Sequence, residues 1–359
     1  MVEISDYAKL TEAQKKALAK LLMNHRGTNV FSVGTLDGVR LHHRIIKHLS
    51  SGIVRHGVKA PRIRYEVMDN QVFSKGSNST YYKSLYTLSL DEKDNLLVKK
   101  RKPDRLRLVK VQMFSKSNSL RTHRIRSEAL LMQRCGLFHS KQLEQQNLSL
   151  FIVMRELPGI TLRQVLKGEM QLSIRDRFDL SLALLNALKT QIHDNACIHR
   201  NIKPEKILVN RTKNGFELYI IGFGMAKDIA YDDSEELLIK TQYSAPENNL
   251  IGFNTNDKYD IYSMGIVLSY LWGQLKAVPA EYHDHYPAIT ERVESAQKIQ
   301  DIILLMCQAD HNQRPNLAEL IDLFTALDNK FAVSKRLRTR SELKITQDED
   351  EVVVNGMSK

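Results

Sequence analysis

The strongest constraint on the fold is a change of hydrophobic period along the chain. Between residues 63 and 113, "RIRYEVMDNQVF", "TYYKSLYTLSL", "DNLLVKK" and "LRLVKVQMF" are short runs rich in Val, Tyr, Leu and Thr, cut by polar turns. That pattern predicts strands of an antiparallel sheet. Residues 119 to 134 predict one amphipathic helix, and "LSLFIVMRELPG" an apolar strand that stops at Pro-Gly. Beyond this break the period turns helical, over 162 to 168, 173 to 193, 258 to 272, 293 to 307 and 316 to 330. A strand-rich half followed by a helix-rich half predicts an α+β protein with two lobes, and 359 residues supply ample core for it.

Ahead of the strands, residues 10 to 24 place apolar side chains at helical spacing behind a Thr-x-x-Gln start, the signature of a capping box. A second helical stretch is expected near 37 to 57, so residues 1–62 are expected to form a helical N-terminal extension. Residues 63–156 and 157–332 form the two lobes, and the polar, acidic residues 333–359 a disordered charged tail.

With 42% hydrophobic and 26% charged residues, the chain has the composition of a soluble globular protein. Its longest apolar runs, "ELYIIGFGMA" and "IYSMGIVLSYLWG", fall short of the roughly 20 residues that span a bilayer. "MVEISDYAKL" lacks the apolar core of a signal peptide. Cys135, Cys197 and Cys307 are odd in number and widely spaced, which argues against a disulfide framework or zinc cluster and for a reducing, cytoplasmic setting. The net charge of +12 concentrates in "KKRKPDRLR" (99–107), "RTHRIR" (121–126) and "KRLRTR" (335–340). Such patches attract phosphate-bearing ligands or anionic lipid. Without interleaved aromatics or an RNA-binding signature, they argue against a nucleic-acid module.

The chemistry-bearing motifs come in a fixed order. "SKGSNSTYYK" occupies 74–83, and "LRLVKVQ" carries Lys110, eighteen residues before Glu128 in a helical segment. "IHRNIKPEKILVN" spans 198–210, followed by "GFG" at 222–224, "APE" at 245–247, "DIYSMGIVL" at 260–268 and "QRP" at 313–315. In this order, over roughly residues 63–330, the chain resembles the eukaryotic-type protein kinase superfamily.

The resemblance implies a bilobal fold with an antiparallel-sheet N-lobe and a mainly helical C-lobe. It implies an ATP site in which Gly76 and Tyr81 belong to the phosphate-covering loop. Lys110 would be held by Glu128 toward the phosphates, with Lys99 and Lys100 as less well-spaced competitors. Met154 would lie at the hinge, with the backbone of Glu156 and Leu157 facing the adenine edge. His199 and Arg200 would be framework residues of the catalytic loop, Asp260 would hold that loop's backbone, and Glu247 would pair with Arg314. Arg200 would face the activation segment, where Asp232, Asp233, Glu235 and Glu236 offer fixed negative charge.

Three departures touch the chemistry itself. Asn201 stands where the family has its catalytic aspartate, beside a matching Lys203; Lys206 stands where an amide would hold magnesium; and Gly222 replaces the metal-binding aspartate. An amide has no useful basicity near neutral pH, and hard cations require oxygen ligands. The expectation is a pseudokinase acting as a binding, scaffold or allosteric module. Magnesium is disfavoured, and ATP or a polyphosphate would bind without metal through Lys110, Lys203 and Lys206. Lys206 directed into solvent is the plainer reading.

The alternative is a divergent but active ATP-dependent kinase or other kinase-fold transferase, with Asp228, Asp232 or Asp233 as substitute carboxylates. A protein partner is expected. The domain plan also resembles translocated effector kinases of intracellular bacteria such as Legionella, which would place the protein in a host cytoplasm.

Overall fold

Two strands from the N-terminal 50 residues join the eight-stranded sheet of the first unit, and three others form a small sheet of their own. A computed structural model describes residues 1–50, 54–55, 58–59, 62–76, 79–100, 107–113, 119–144, 149–231, 240–249, 254–273 and 296–329. The chain divides into two compact units, Met1–Leu157 and Pro158–Lys359.

The first unit begins with β1 (Val2–Ile4), one helix, α1 (Glu12–Asn24), and then β2 (Val30–Phe31), β3 (Gly34–Leu36), β4 (Val39–Leu41) and β5 (Ile45–Ser50). The expected capping box starts α1. The Gln14 N–H donates to the Thr11 hydroxyl at 3.2 Å, and the Thr11 N–H to the Gln14 side-chain oxygen at 2.9 Å.

The helix expected over 37–57 is corrected: strands occupy Val39–Leu41, Ile45–Ser50, β6 (Val54–Arg55) and β7 (Val58–Lys59). Asp37 and Gly38, both at positive φ, make the two-residue turn between β3 and β4, with Leu36 opposite Val39. Asp-Gly is the strongest short hairpin signal a sequence carries. Buried Val39 and Leu41 flank exposed Arg40 in the two-residue strand period. In so short a stretch, Ile45, Ile46 and Leu49 suit a helical stripe equally well.

β8 (Arg62–Lys75), β9 (Thr80–Leu90), β10 (Leu96–Lys100), β11 (Arg107–Met113), β12 (Phe138–Glu144) and β13 (Ser149–Arg155) are the other strands of this unit. They join in the order β12-β13-β11-β9-β8-β5-β2, with β10 also on β9. β12 also lies against β5, so the sheet curls toward closure.

Val30, Ile46, Met68, Val109, Phe151 and Val153 form one buried cluster. A second cluster packs Leu18, Leu21 and Leu22 of α1 against Ile45, Tyr65, Val67 and Leu88. Each such side chain contributes about 1.5–3 kcal/mol on burial, so β8 and β9 depend on residues ahead of position 50. A polar group is buried here too. The fully enclosed Glu66 carboxylate accepts from Ser84 Oγ at 2.6 Å, Thr87 Oγ1 at 2.8 Å and Arg107 Nη1, with His48 Nε2 2.9 Å away. α2 (Ser119–Arg134) follows β11, as expected.

The second unit begins at Pro158. Gly159, at φ 106°, lies so close to β16 (Ile207–Thr212) that a Cβ would sit 2.4 Å from the Val209 oxygen. β14 (Ile160–Thr161), β16 and β17 (Gly215–Ile220) form a small antiparallel sheet, while β15 (Cys197–Ile198) pairs with β18 (Lys227–Asp228).

The helices are α3 (Leu162–Gln164), α4 (Ile174–Ala187), α5 (Lys258–Leu271), α6 (Ala296–Met306) and α7 (317–329). α5 is buried nearly all round, as its apolar sequence requires. Gly265 lets α6 approach, since a Cβ there would meet Met306 Cβ at 2.9 Å. The unit is therefore helix-rich after a strand-rich first unit, in keeping with the expected α+β class.

The acidic residues at 232–236, the basic stretches 101–106 and 335–340, and the tail 333–359 lie outside the described residues. Among those described, no helix is long and apolar enough to cross a membrane.

Candidate functional site

Lys110 sits in the middle of β11, buried, and forms an ion pair with Glu128 of α2. Gln112, two residues along the same face, donates from Nε2 to the other Glu128 oxygen at 2.7 Å. A carboxylate held by an ammonium and an amide is fixed in orientation, which in turn fixes the lysine. The kinase resemblance implies this pair; the Gln112 contribution is legible only as the period-two neighbour of Lys110. Lys99 and Lys100 lie on β10, paired with β9, and take no part.

Tyr81 is directly opposite Lys110 in the β9–β11 register, and the Lys110 Nζ stands 6.0 Å from its ring centroid. Gly76 closes the β8–β9 turn through its N–H to the Ser79 oxygen at 2.8 Å. Met154 is buried in β13, and Glu156 and Leu157 follow it at the end of the unit.

In the second unit, the segment after β15 is shaped by Asp260. This fully buried carboxylate on α5 accepts the backbone N–H of His199 at 2.6 Å and of Arg200 at 2.8 Å. Presenting two successive N–H groups to one side chain requires an unusual backbone, and Arg200 has φ 57°. The Arg200 Nε donates to the Met225 carbonyl at 2.6 Å. Pro204 then opens a single tight turn, Pro204–Lys206, that leads into β16.

The His199 ring is fully buried, donates from Nε2 to the Ile221 carbonyl at 3.1 Å, and meets the Phe223 ring edge-on at 5.1 Å. Burial, reinforced by the nearby Lys206 charge, pushes its pKa down to about 4. The ring is therefore neutral at pH 7.

Lys206 and Gly222 fit one another. The Lys206 Nζ donates to the Gly222 carbonyl at 3.0 Å, and the Lys206 N–H and carbonyl are tied to Lys203 and Ile221. Gly222 has φ 84°, and a Cβ there would meet Lys206 Cδ at 3.0 Å and Cε at 3.1 Å. The stem of Lys206 thus fills the space a side chain at 222 would enter. The solvent-directed reading of Lys206 is corrected: its half-buried ammonium donates to the Gly222 carbonyl, and its stem lies against the glycine, where no side chain blocks it.

Asn201 and Lys203 are half-buried on the same loop. Glu205 pairs with Arg163, and the Asp228 Oδ1 accepts the Ala230 N–H at 3.0 Å in a turn. Among the described residues, no group of three His, Cys, Asp or Glu side chains could hold a metal ion.

Farther along, Glu247 and Arg314 join through two hydrogen bonds of 2.6 Å. Thr241 is bound up with Ser244, whose Oγ accepts the Thr241 N–H at 2.9 Å.

The family model described as "Protein kinase domain" matches residues 96–330. Among curated proteins, the serine/threonine-protein kinase PrkC of Bacillus subtilis is 26% identical over 212 residues, 55% of this chain and 32% of the relative. Dkf-1 of Caenorhabditis elegans, also a serine/threonine-protein kinase, is 25% identical over 208 residues, 57% of this chain and 27% of its own. The probable serine/threonine-protein kinase PknB of Bifidobacterium longum is 35% identical over 125 residues, 33% of this chain and 17% of its own. The matches thus span less than a third of each relative's length.

Proposed function

Because the chain belongs to the protein kinase domain family, we propose that it is a pseudokinase: a kinase fold that serves as a binding or scaffold module and lacks ordinary magnesium-dependent phosphotransfer. The observation that carries the reading is the Lys206 ammonium seated on the Gly222 carbonyl. Phosphoryl transfer is catalysed by positioning and by neutralising charge on the β- and γ-phosphates with metal ions. A cation-binding site built from an ammonium and a side-chain-free glycine offers repulsion in place of oxygen ligands. The residues at these positions do not fit magnesium.

Asn201 removes the proton acceptor, which typically forfeits about 10²- to 10⁴-fold in rate. Together the losses disable the mechanism while the framework stays intact: Asp260 on the loop backbone, Glu247 on Arg314, and Lys110 on Glu128. That preserved framework is what a module selected for binding would keep. A bound nucleotide and a protein partner complete the reading.

The intact Lys110–Glu128 pair favours one competing reading, a divergent ATP-dependent transferase. Phosphate transfer from labelled ATP, to the chain itself and to Ser/Thr peptides, separates the two when run in parallel with magnesium, manganese and EDTA. The pseudokinase reading expects no transfer above background. Robust transfer that Lys110→Ala abolishes would overturn it.

A further inference from the structure

We propose that the Lys206 ammonium takes the place of the divalent cation in this chain, so that the loop from Asn201 to Lys206 binds the phosphates of a polyphosphate anion with no metal present. The inference rests on the pseudokinase reading and deepens it by naming the ligand chemistry.

Three observations converge. The ammonium is positioned rather than trailing: its Nζ is fixed on the Gly222 carbonyl at 3.0 Å, and its stem occupies the side-chain space of residue 222. The two departures from the kinase pattern therefore sit in contact, the lysine stem lying where a Cβ at 222 would be. Asp260 binds the loop backbone, Glu205 engages Arg163 through one oxygen and Asp228 accepts the Ala230 N–H. The side chains the loop presents at 201, 203 and 206 are an amide and two ammoniums, and cationic N–H donors make the short, strong hydrogen bonds that phosphate oxygens accept. In the kinase mechanism a metal bridges β- and γ-oxygens; here covalently attached positive charge does so, and chelators have nothing to remove.

Binding of sodium tripolyphosphate and of ATP to the intact chain, by calorimetry and thermal shift in EDTA and in magnesium, tests this. The expected result is binding and a raised Tm in EDTA, weakened by magnesium as it competes for the phosphates. Lys206→Met should lose about tenfold or more in affinity, the value of a charge-assisted hydrogen bond, and so should Lys203→Met. Gly222→Asp combined with Lys206→Asn should invert the dependence, giving binding that requires magnesium.

Binding only in the presence of magnesium overturns the proposal. So does affinity unchanged by both lysine substitutions, absence of any binding, or metal-free binding that persists in the double variant. Transfer activity in the same samples is a separate readout: its appearance sinks the pseudokinase reading while leaving metal-free binding standing, and loss of binding without transfer does the reverse.

Discussion

Arg314 and Glu247 are joined by two parallel hydrogen bonds of 2.6 Å, both side chains almost wholly enclosed. The remaining guanidinium donors reach the Lys258 carbonyl at 3.0 Å and the Gln308 carbonyl at 2.8 Å, so the arginine ties the "APE" segment to α5 and to the chain after α6. Breaking a buried pair strands a charge in a low-dielectric setting. Glu247→Ala should therefore cost about 3–5 kcal/mol, read as a lowered urea midpoint with an unchanged m-value.

The neutral His199 makes stability pH-dependent. Its pKa is about 4 in the folded chain against 6.5 for the ordinary ring, so between those values the unfolded state binds a proton that the folded state refuses. Stability then rises with pH across this window and falls on acidification. The whole effect is on the order of 3 kcal/mol. Urea titrations at pH 7 and pH 5 should show a larger acid loss for the native chain than for His199→Gln, and equal losses would exclude His199 as the source.

Gly159→Ala should destabilise the second unit by at least about 2 kcal/mol, because positive φ and a blocked Cβ act together. The added carbon would lie 2.4 Å from the Val209 oxygen, and backbone cannot step aside as a flexible side chain can. Thermal unfolding of this variant beside Gly168→Ala, where φ is also positive but the space is open, isolates the contact from the dihedral.

A chain begun at Arg62 should fail to fold its first unit, although the family match starts only at residue 96. The truncation removes α1, β2 and β5 and uncovers Tyr65, Val67 and Leu88. Loss of soluble expression, or of protection from hydrogen exchange in β8 and β9, is the expected outcome.

Glu66→Ala should cost about 3–5 kcal/mol in the full-length chain, since it leaves Arg107 buried without its carboxylate. Arg107→Met in the same background should recover part of that loss, which a double-mutant cycle reads directly.

Much of this protein was legible in its amino-acid order. The helical period foretold α4, α5 and α7, and the capping box set the start of α1. The resemblance carried by the motif order implied a Lys110–Glu128 ion pair that the fold forms, and a second between the "APE" and "QRP" segments. These signals are local, or belong to motifs whose order is itself informative.

The rest depended on distance in space. Residues 37 to 57 suited helix and strand alike over so few positions, and what decided between them was an edge of β8 awaiting a partner, with Ile45 opposite Val67. Backbone groups at a sheet edge take whichever strand completes their hydrogen bonds, and no local period records that. The curling of the sheet brought His48, Glu66 and Arg107 together from three separate strands.

The sequence by itself determined that Asn201, Lys206 and Gly222 stand in a motif order resembling the kinase family's, which is what raises the expectation of an exchanged base and exchanged metal ligands. Only the tertiary structure decided where the new lysine goes: Gly222 left a carbonyl acceptor and an open side-chain space within reach, and the Lys206 stem and ammonium filled both.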